Sequence, residues 1–129
     1  GLTGTHGVCG HGVCGASTVL RACVSVRSCL TFGAQCAGRE VTTVEGLAPD
    51  GVLSPLQESF HEHHARQCGF CTPGFLICAH ELIESLPPGE PLDDATARGA
   101  LSGHICRCTG YQNIIKAVLA TAATRGERP

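Results

Sequence analysis

The placing of ten cysteines is the strongest constraint on what this 129-residue chain can become. They stand at positions 9, 14, 23, 29, 36, 68, 71, 78, 106 and 108. A core built mostly from Leu, Val, Ile and Ala is marginal at this size, because small domains bury a smaller share of their surface. Aromatic side chains are few: Phe32, Phe60, Phe70, Phe75 and Tyr111. A second kind of staple is therefore expected, and thiols supply one as disulfides, as a zinc site or as iron–sulfur clusters. Cys68 and Cys71 form a C-x-x-C, and Cys106 and Cys108 form a C-x-C. Close pairs of this kind bring two sulfurs to one point, which suits a metal better than two separate bridges. Disulfides need an oxidising compartment. No basic-then-apolar leader is visible, so a cytoplasmic location with reduced thiols is expected.

Charge narrows the partners. Lys plus Arg is 9 and Asp plus Glu is 11, for a net charge of −2. Such a chain carries no electrostatic footprint for nucleic acid or an anionic membrane. No apolar run approaches the roughly 18 residues of a membrane span.

The pattern changes along the chain. Gly1, Gly4, Gly7, Gly10, Gly12 and Gly15 make the opening segment a loop able to wrap closely around an object, not a helix or regular strand. Short β-type runs follow at Thr18 to Leu20, Val24 to Leu30 and Glu40 to Val44, with a helical turn around Thr31 to Ala37. GLAPDG at 46–51 is a break with turn chemistry. Helical periodicity takes over beyond it. Ser54-Pro55-Leu56-Gln57 reads as a capping box with proline in the first turn, opening a helix to about Arg66. Thr72-Pro73 opens a second, with a stripe of Phe75, Leu76, Ala79, Leu82, Ile83 and Leu86 that Pro87-Pro88-Gly89 ends. Asp93 or Asp94 caps a third helix through Ala100. Thr109 to Gln112 reads as another capping box, opening a fourth helix with Ile114, Ile115, Val118 and Leu119. Four helices in two antiparallel pairs are expected. The C-x-x-C then lies in the link before the second helix and the C-x-C in the link before the fourth. Helix amino termini carry unpaired N–H groups that favour anions, so the two links together suit a negatively charged iron–thiolate centre.

The amino-terminal set reads C-x4-C-x2-S with a distant cysteine: Cys9, Cys14, Ser17 and Cys29. The plant-type ferredoxin spacing is C-x4-C-x2-C…C. With CGHGVCGASTVL at 9–20, VRSCL at 26–30, VTTVEGL at 41–47, QCGFCTPG at 67–74 and CRCTGYQNI at 106–114, the chain resembles a known family. It is similar to the small, two-cluster [2Fe–2S] subunit of the xanthine oxidase family of molybdenum hydroxylases. That family includes the small subunit of aerobic carbon monoxide dehydrogenase and those of enzymes that hydroxylate aldehydes and N-heterocycles.

The resemblance implies an α+β chain. Residues 1–48 would be a plant-ferredoxin-like β-grasp domain, incomplete at its amino end, and residues 52–125 a four-helix domain with a second [2Fe–2S] cluster. It implies Cys9, Cys14, Ser17 and Cys29 as the first ligand set and Cys68, Cys71, Cys106 and Cys108 as the second. Gln67 matches the position that hydrogen-bonds the pterin, and Cys108 the ligand nearest to it. No residue of the chain does substrate chemistry. Electrons would pass from molybdopterin in a large subunit through both clusters to FAD in a medium subunit or to another acceptor. The assembly would be a hetero-oligomer, as in a dimer of heterotrimers.

Three departures fall around the first set. Ser17 stands where the family has cysteine, Val8 where it has glycine, and Ala22-Cys23 where it commonly has Asp-Gly. Three alternatives stay open: Ser17 ligates as an alkoxide, Cys23 substitutes for it, or the first cluster is absent. Cys23, Cys36 and Cys78 are otherwise expected as small buried apolar residues. His61-Glu62-His63-His64 reads as a solvated helix face. His6 and His11 lack the spacing for Rieske-type ligation. Arg107 reads either as a charge offsetting a cluster or as an interface residue. The competing class is a zinc-stapled interaction module built on residues 68, 71, 106 and 108.

Overall fold

The computed structural model describes residues 1–125 and combines a small sheet with helices. The glycine-rich segment leads into β1 (Thr18–Arg21), β2 (Val24–Arg27) and β3 (Val41–Thr42). All pairings are antiparallel, in the order β2-β1-β3. Thr18 faces Arg27 and Arg21 faces Val24, so Ala22 and Cys23 alone make the turn. Both have positive φ, 50° and 66°. This is the type I′ turn, one of the two-residue hairpin turns whose twist matches that of the flanking strands. The expected second strand is shorter than its β-rich sequence suggests. Ser28–Leu30 closes into a 3-10 turn, as do Gly33–Cys36 and Val44–Leu47.

Four α-helices follow: α1 (Pro55–Glu62), α2 (Thr72–Ser85), α3 (Asp94–Leu101) and α4 (Gln112–Ala123). The Ser54 box forms as expected. Gln57 N–H donates to Ser54 Oγ at 3.4 Å, and Ser54 N–H to Gln57 Oε1 at 2.8 Å. Asp93 caps α3 by accepting from Thr96 N–H at 2.9 Å. Two expectations fail. The first helix stops at Glu62 rather than Arg66, since His64 takes φ 51° and Ala65 N–H turns back to Phe60 O at 2.9 Å. The box at Thr109 does not cap α4, whose N-cap is Tyr111 in the left-handed region at φ 70°. The Thr109 hydroxyl is instead held among Cys106 Sγ and the Tyr111 N–H.

Leu56 and Phe60 of α1, Phe75, Leu76, Ala79 and Ile83 of α2, Ala97 and Leu101 of α3, and Ile114, Ile115 and Val118 of α4 meet in one core. α1 packs chiefly on α4, and α2 on α3 and on β1. Ile77 of α2, outside that core, is also fully buried. Among the described residues no helix is long and apolar enough to cross a membrane.

Candidate metal centre

The link before α2 and the link before α4 converge. Cys108 Sγ lies 3.4 Å from Cys68 Sγ, and Cys71 and Cys106 stand close enough for each thiol to shift the other's titration. The four sulfurs thus stand as two pairs. Among the described residues no three His, Cys, Asp or Glu side chains gather as a single ion would require. The two members of each pair are shifted in opposite directions. Burial, then the neighbouring Cys106 thiol, pushes Cys71 up to about 12. In Cys106, burial is outweighed by the Thr109 hydroxyl and N–H, and its thiol falls below the ordinary value. The Phe70 N–H and the Cys108 thiol lower Cys68, while the bond to Cys68 raises Cys108. Cys106 is buried, whereas Cys68 and Cys108 are exposed. A cavity of about 270 Å³ opens at this place. Cys68, Cys71, Cys108 and Arg107 line it, with Val8 and Cys14 from the glycine-rich loop.

Backbone donors already aim at these sulfurs. Thr109 N–H reaches Cys106 Sγ at 3.4 Å, with its hydroxyl at 3.0 Å. Cys106 N–H donates to the Tyr111 hydroxyl at 3.0 Å, and Tyr111 stands edge-on to Phe75. Soft thiolates with amide donors suit iron–sulfur chemistry, in which metal uptake displaces the thiol protons. Gln67 is exposed beside Cys68 and makes no hydrogen bond among the described residues. Arg107 is exposed and lines the same cavity as the thiol set.

The amino-terminal set is built by the loop. The N–H groups of Cys14 and His11 converge on Cys9 and bring its thiol down to about 6. Gly10 and Gly12, at φ 70° and 80°, let the backbone turn inward to do so. Val8 is not among the residues with positive φ, so its β-branched side chain is tolerated. Ser17 is buried next to Cys29, whose N–H reaches Ser17 Oγ at 3.4 Å. Its hydroxyl proton has no acceptor among the described residues. Cys23 is exposed at the hairpin tip, the far end of β1 from Ser17. It cannot stand in for Ser17, and it is not the buried residue expected. Cys36 and Cys78 are half-buried. His6 stacks on Phe70 at 4.2 Å with its Nδ1 at 2.9 Å from Phe70 O, so its ring ties the first loop to the C-x-x-C link.

Sequence reasoning missed the seam between the two sets. Ile105 N–H donates to Cys14 O at 3.0 Å, joining a residue of one set to the neighbour of Cys106. His104 is buried at the same seam, its Nε2 3.1 Å from Thr18 Oγ1. Burial first, then the Arg27 charge, lowers it to about 4. The Thr18 hydroxyl spends its proton on Gly15 O at 2.6 Å and accepts from Arg27 Nη1 at 2.7 Å. Nε2 also lies 3.4 Å from Arg27 Nη1, and in either tautomer the buried Nδ1 is left without a partner. The paired glycines Gly15 and Gly74 were the readable signal. A Cβ on Gly74 would collide with the Gly15 carbonyl.

Comparison with known proteins agrees with this chemistry. Residues 43–119 match the family model described as the [2Fe-2S] binding domain. The chain is 54% identical over 127 residues to the nicotine 6-hydroxylase small subunit of Paenarthrobacter nicotinovorans, covering 98% of this chain and 74% of that one. It is 42% identical over 125 residues to the xanthine dehydrogenase iron-sulfur-binding subunit of Escherichia coli O157:H7, covering 97% and 78%. The crystal structure of quinoline 2-oxidoreductase from Pseudomonas putida 86 superposes with a TM-score of 0.89 at 45% identity, over 99% of this chain and 80% of that chain. The chain therefore belongs to the small iron–sulfur subunits of the xanthine oxidase family of molybdenum hydroxylases, the electron-transfer subunits of oxidoreductases.

Proposed function

We propose that this chain relays electrons from a molybdopterin centre in a large subunit, through two [2Fe–2S] clusters, to FAD in a medium subunit or another acceptor. The observation that carries the reading is the meeting of Cys68, Cys71, Cys106 and Cys108 as two thiol pairs at two helix links. Two pairs suit a centre of two irons, each taking two thiolates. Cys68, Cys71, Cys106 and Cys108 would hold one cluster, and Cys9, Cys14, Cys29 and the Ser17 alkoxide the other. When bound, such clusters supply one-electron carriers. The protein's part is to fix them, donate N–H bonds to their ligands and keep the inner pair dry. Exposed Gln67 and Cys108 would face the pterin. Residues 1–48 would form the ferredoxin-like unit and residues 52–125 the helical one. The subunit would work in a cytoplasmic hetero-oligomer, where thiols stay reduced.

Iron and sulfide analysis of the assembled complex, with EPR after reduction, tests this. A red-brown chain with [2Fe–2S] signals is expected. A colourless chain that binds zinc, or one with fewer than two irons and no cluster signal, overturns it.

A further inference from the structure

The two sets of thiols belong to different parts of the chain, yet their loops touch through glycines and one guanidinium. Gly15, at φ 78°, lies so near the link before α4 that an added Cβ would meet Gly103 O at 2.9 Å and His104 Cγ at 2.8 Å. Gly74, in the first turn of α2, abuts the Gly15 carbonyl. Arg27 of β2 spans this contact. Its Nε donates to Gly12 O at 3.3 Å, inside the first loop. Its Nη1 donates to Thr18 Oγ1 at 2.7 Å, and its Nη2 to Gly103 O at 2.8 Å, inside the second link. One rigid planar fork thus holds both loops at once, which a lysine's single ammonium cannot reproduce. His104 closes the same network from the helical side through Thr18. The bond from Ile105 N–H to Cys14 O runs beside it.

We propose that Arg27, acting through Thr18 and His104, is a positioning residue that sets the spacing between the two cluster sites and so the rate at which electrons cross between them. This rests on the two-cluster reading above. Arg27 touches neither thiol set directly in the hydrogen-bond network. Its work is to hold Gly12 and Gly103, and with them Cys14 and Cys106, in one arrangement.

The test uses the assembled holoenzyme with Arg27→Gln, Arg27→Lys and Thr18→Val. EPR of the fully reduced protein reads the magnetic splitting between the two clusters. Freeze-quench EPR after a pulse of reducing substrate reads how fast the first-set cluster is reduced. In the wild type both signals and a splitting are expected. In Arg27→Gln both clusters are retained, the splitting shrinks or broadens, and reduction of the first-set cluster slows. Thr18→Val moves both readouts in the same direction by less, and Arg27→Lys recovers them only in part. Should Arg27→Gln fail to assemble, Thr18→Val and Arg27→Lys carry the same comparison. Variants that merely melt at lower temperature, with splitting and rate unchanged, overturn the positioning role. A wild-type enzyme showing a single cluster signal overturns the two-cluster reading instead, and the proposal falls with it.

Discussion

The β1–β2 turn offers a sharp test of how local strain and site placement relate. Ala22 and Cys23 make a two-residue hairpin with φ of 50° and 66°. A non-glycine residue there costs about 1–2 kcal/mol, because its Cβ crowds the following carbonyl. Asparagine tolerates this region and glycine pays nothing for it, which is why Asn-Gly is the favoured pair. Replacing Ala22→Asn and Cys23→Gly together relieves on the order of 2–3 kcal/mol of strain. Glycine's extra freedom in the unfolded chain returns about 0.5–1 kcal/mol of that. A net gain of roughly 1–2 kcal/mol remains, which for a domain of this length raises the melting temperature by about 3–6 °C per kcal/mol. The same double variant should keep all of its iron. The four residues of β1 and Ala22 lie between Ser17 and Cys23, and β1 alone spans about 13 Å at 3.3 Å per residue. Melting followed by far-ultraviolet circular dichroism, with iron analysis of the same samples, checks both halves. An unchanged or lower melting temperature refutes the strain argument. Lost iron refutes the placement of Cys23 away from the first set.

Three further outcomes follow from the geometry. Ser17→Cys exchanges a hard oxygen for a softer sulfur and should raise the first-set cluster's potential in a redox titration, while Ser17→Ala should lower iron per chain; full iron in Ser17→Ala refutes ligation by Ser17. Tyr111→Phe leaves the Cys106 N–H without its acceptor, at a cost of about 1–3 kcal/mol, and should speed cluster loss to an iron chelator; an unchanged rate argues against the hydroxyl's role. Glu45 is held below the usual carboxylate range, first by the Thr43 hydroxyl, then by its own N–H and that of Gly4. Its folded state binds a proton less readily than the unfolded chain, so its stabilisation is complete above the ordinary glutamate range and fades as pH falls through its lowered value. The hydrogen-exchange protection factor at Gly4, corrected for the intrinsic pH dependence of exchange, should therefore fall on acidification in the wild type and stay flat over the same window in Glu45→Gln.

Much of the helical half was legible in sequence, because its signals are local. The Ser54 box, the proline at the start of α2 and the Asp93 cap each act within one turn, and each forms. Leu56 with Phe60 and the Phe75 to Ile83 stripe follow helical period and do line the core. What failed depended on distant groups. Thr109-Gly110-Tyr111-Gln112 has the letters of a cap, but the Thr109 hydroxyl is drawn to Cys106 Sγ, and Tyr111 takes the left-handed region so that its hydroxyl can meet the Cys106 N–H. The early end of α1 likewise depends on His64 adopting φ 51°, a conformation uncommon for any non-glycine residue even though histidine visits it more than most. The thiol positions could be read from spacing, while their pairing could not, since it needs both links folded. Arg27, Thr18 and His104 were illegible for the same reason: nothing in VRSCL or SGHIC announces that the two segments meet.

The uneven setting of the two thiol pairs bears on how the subunit must be made. Cys106 is buried and Cys71 half-buried, but Cys68 and Cys108 lie open to solvent 3.4 Å apart, with one sulfur of the pair held toward thiolate. A thiolate so near a second sulfur is what dioxygen or peroxide readily turns into a disulfide. An unloaded chain left in air would thus lose its outer iron position first, while the inner one stayed intact. Loading with iron before exposure to oxidant would keep that outer pair available as ligands.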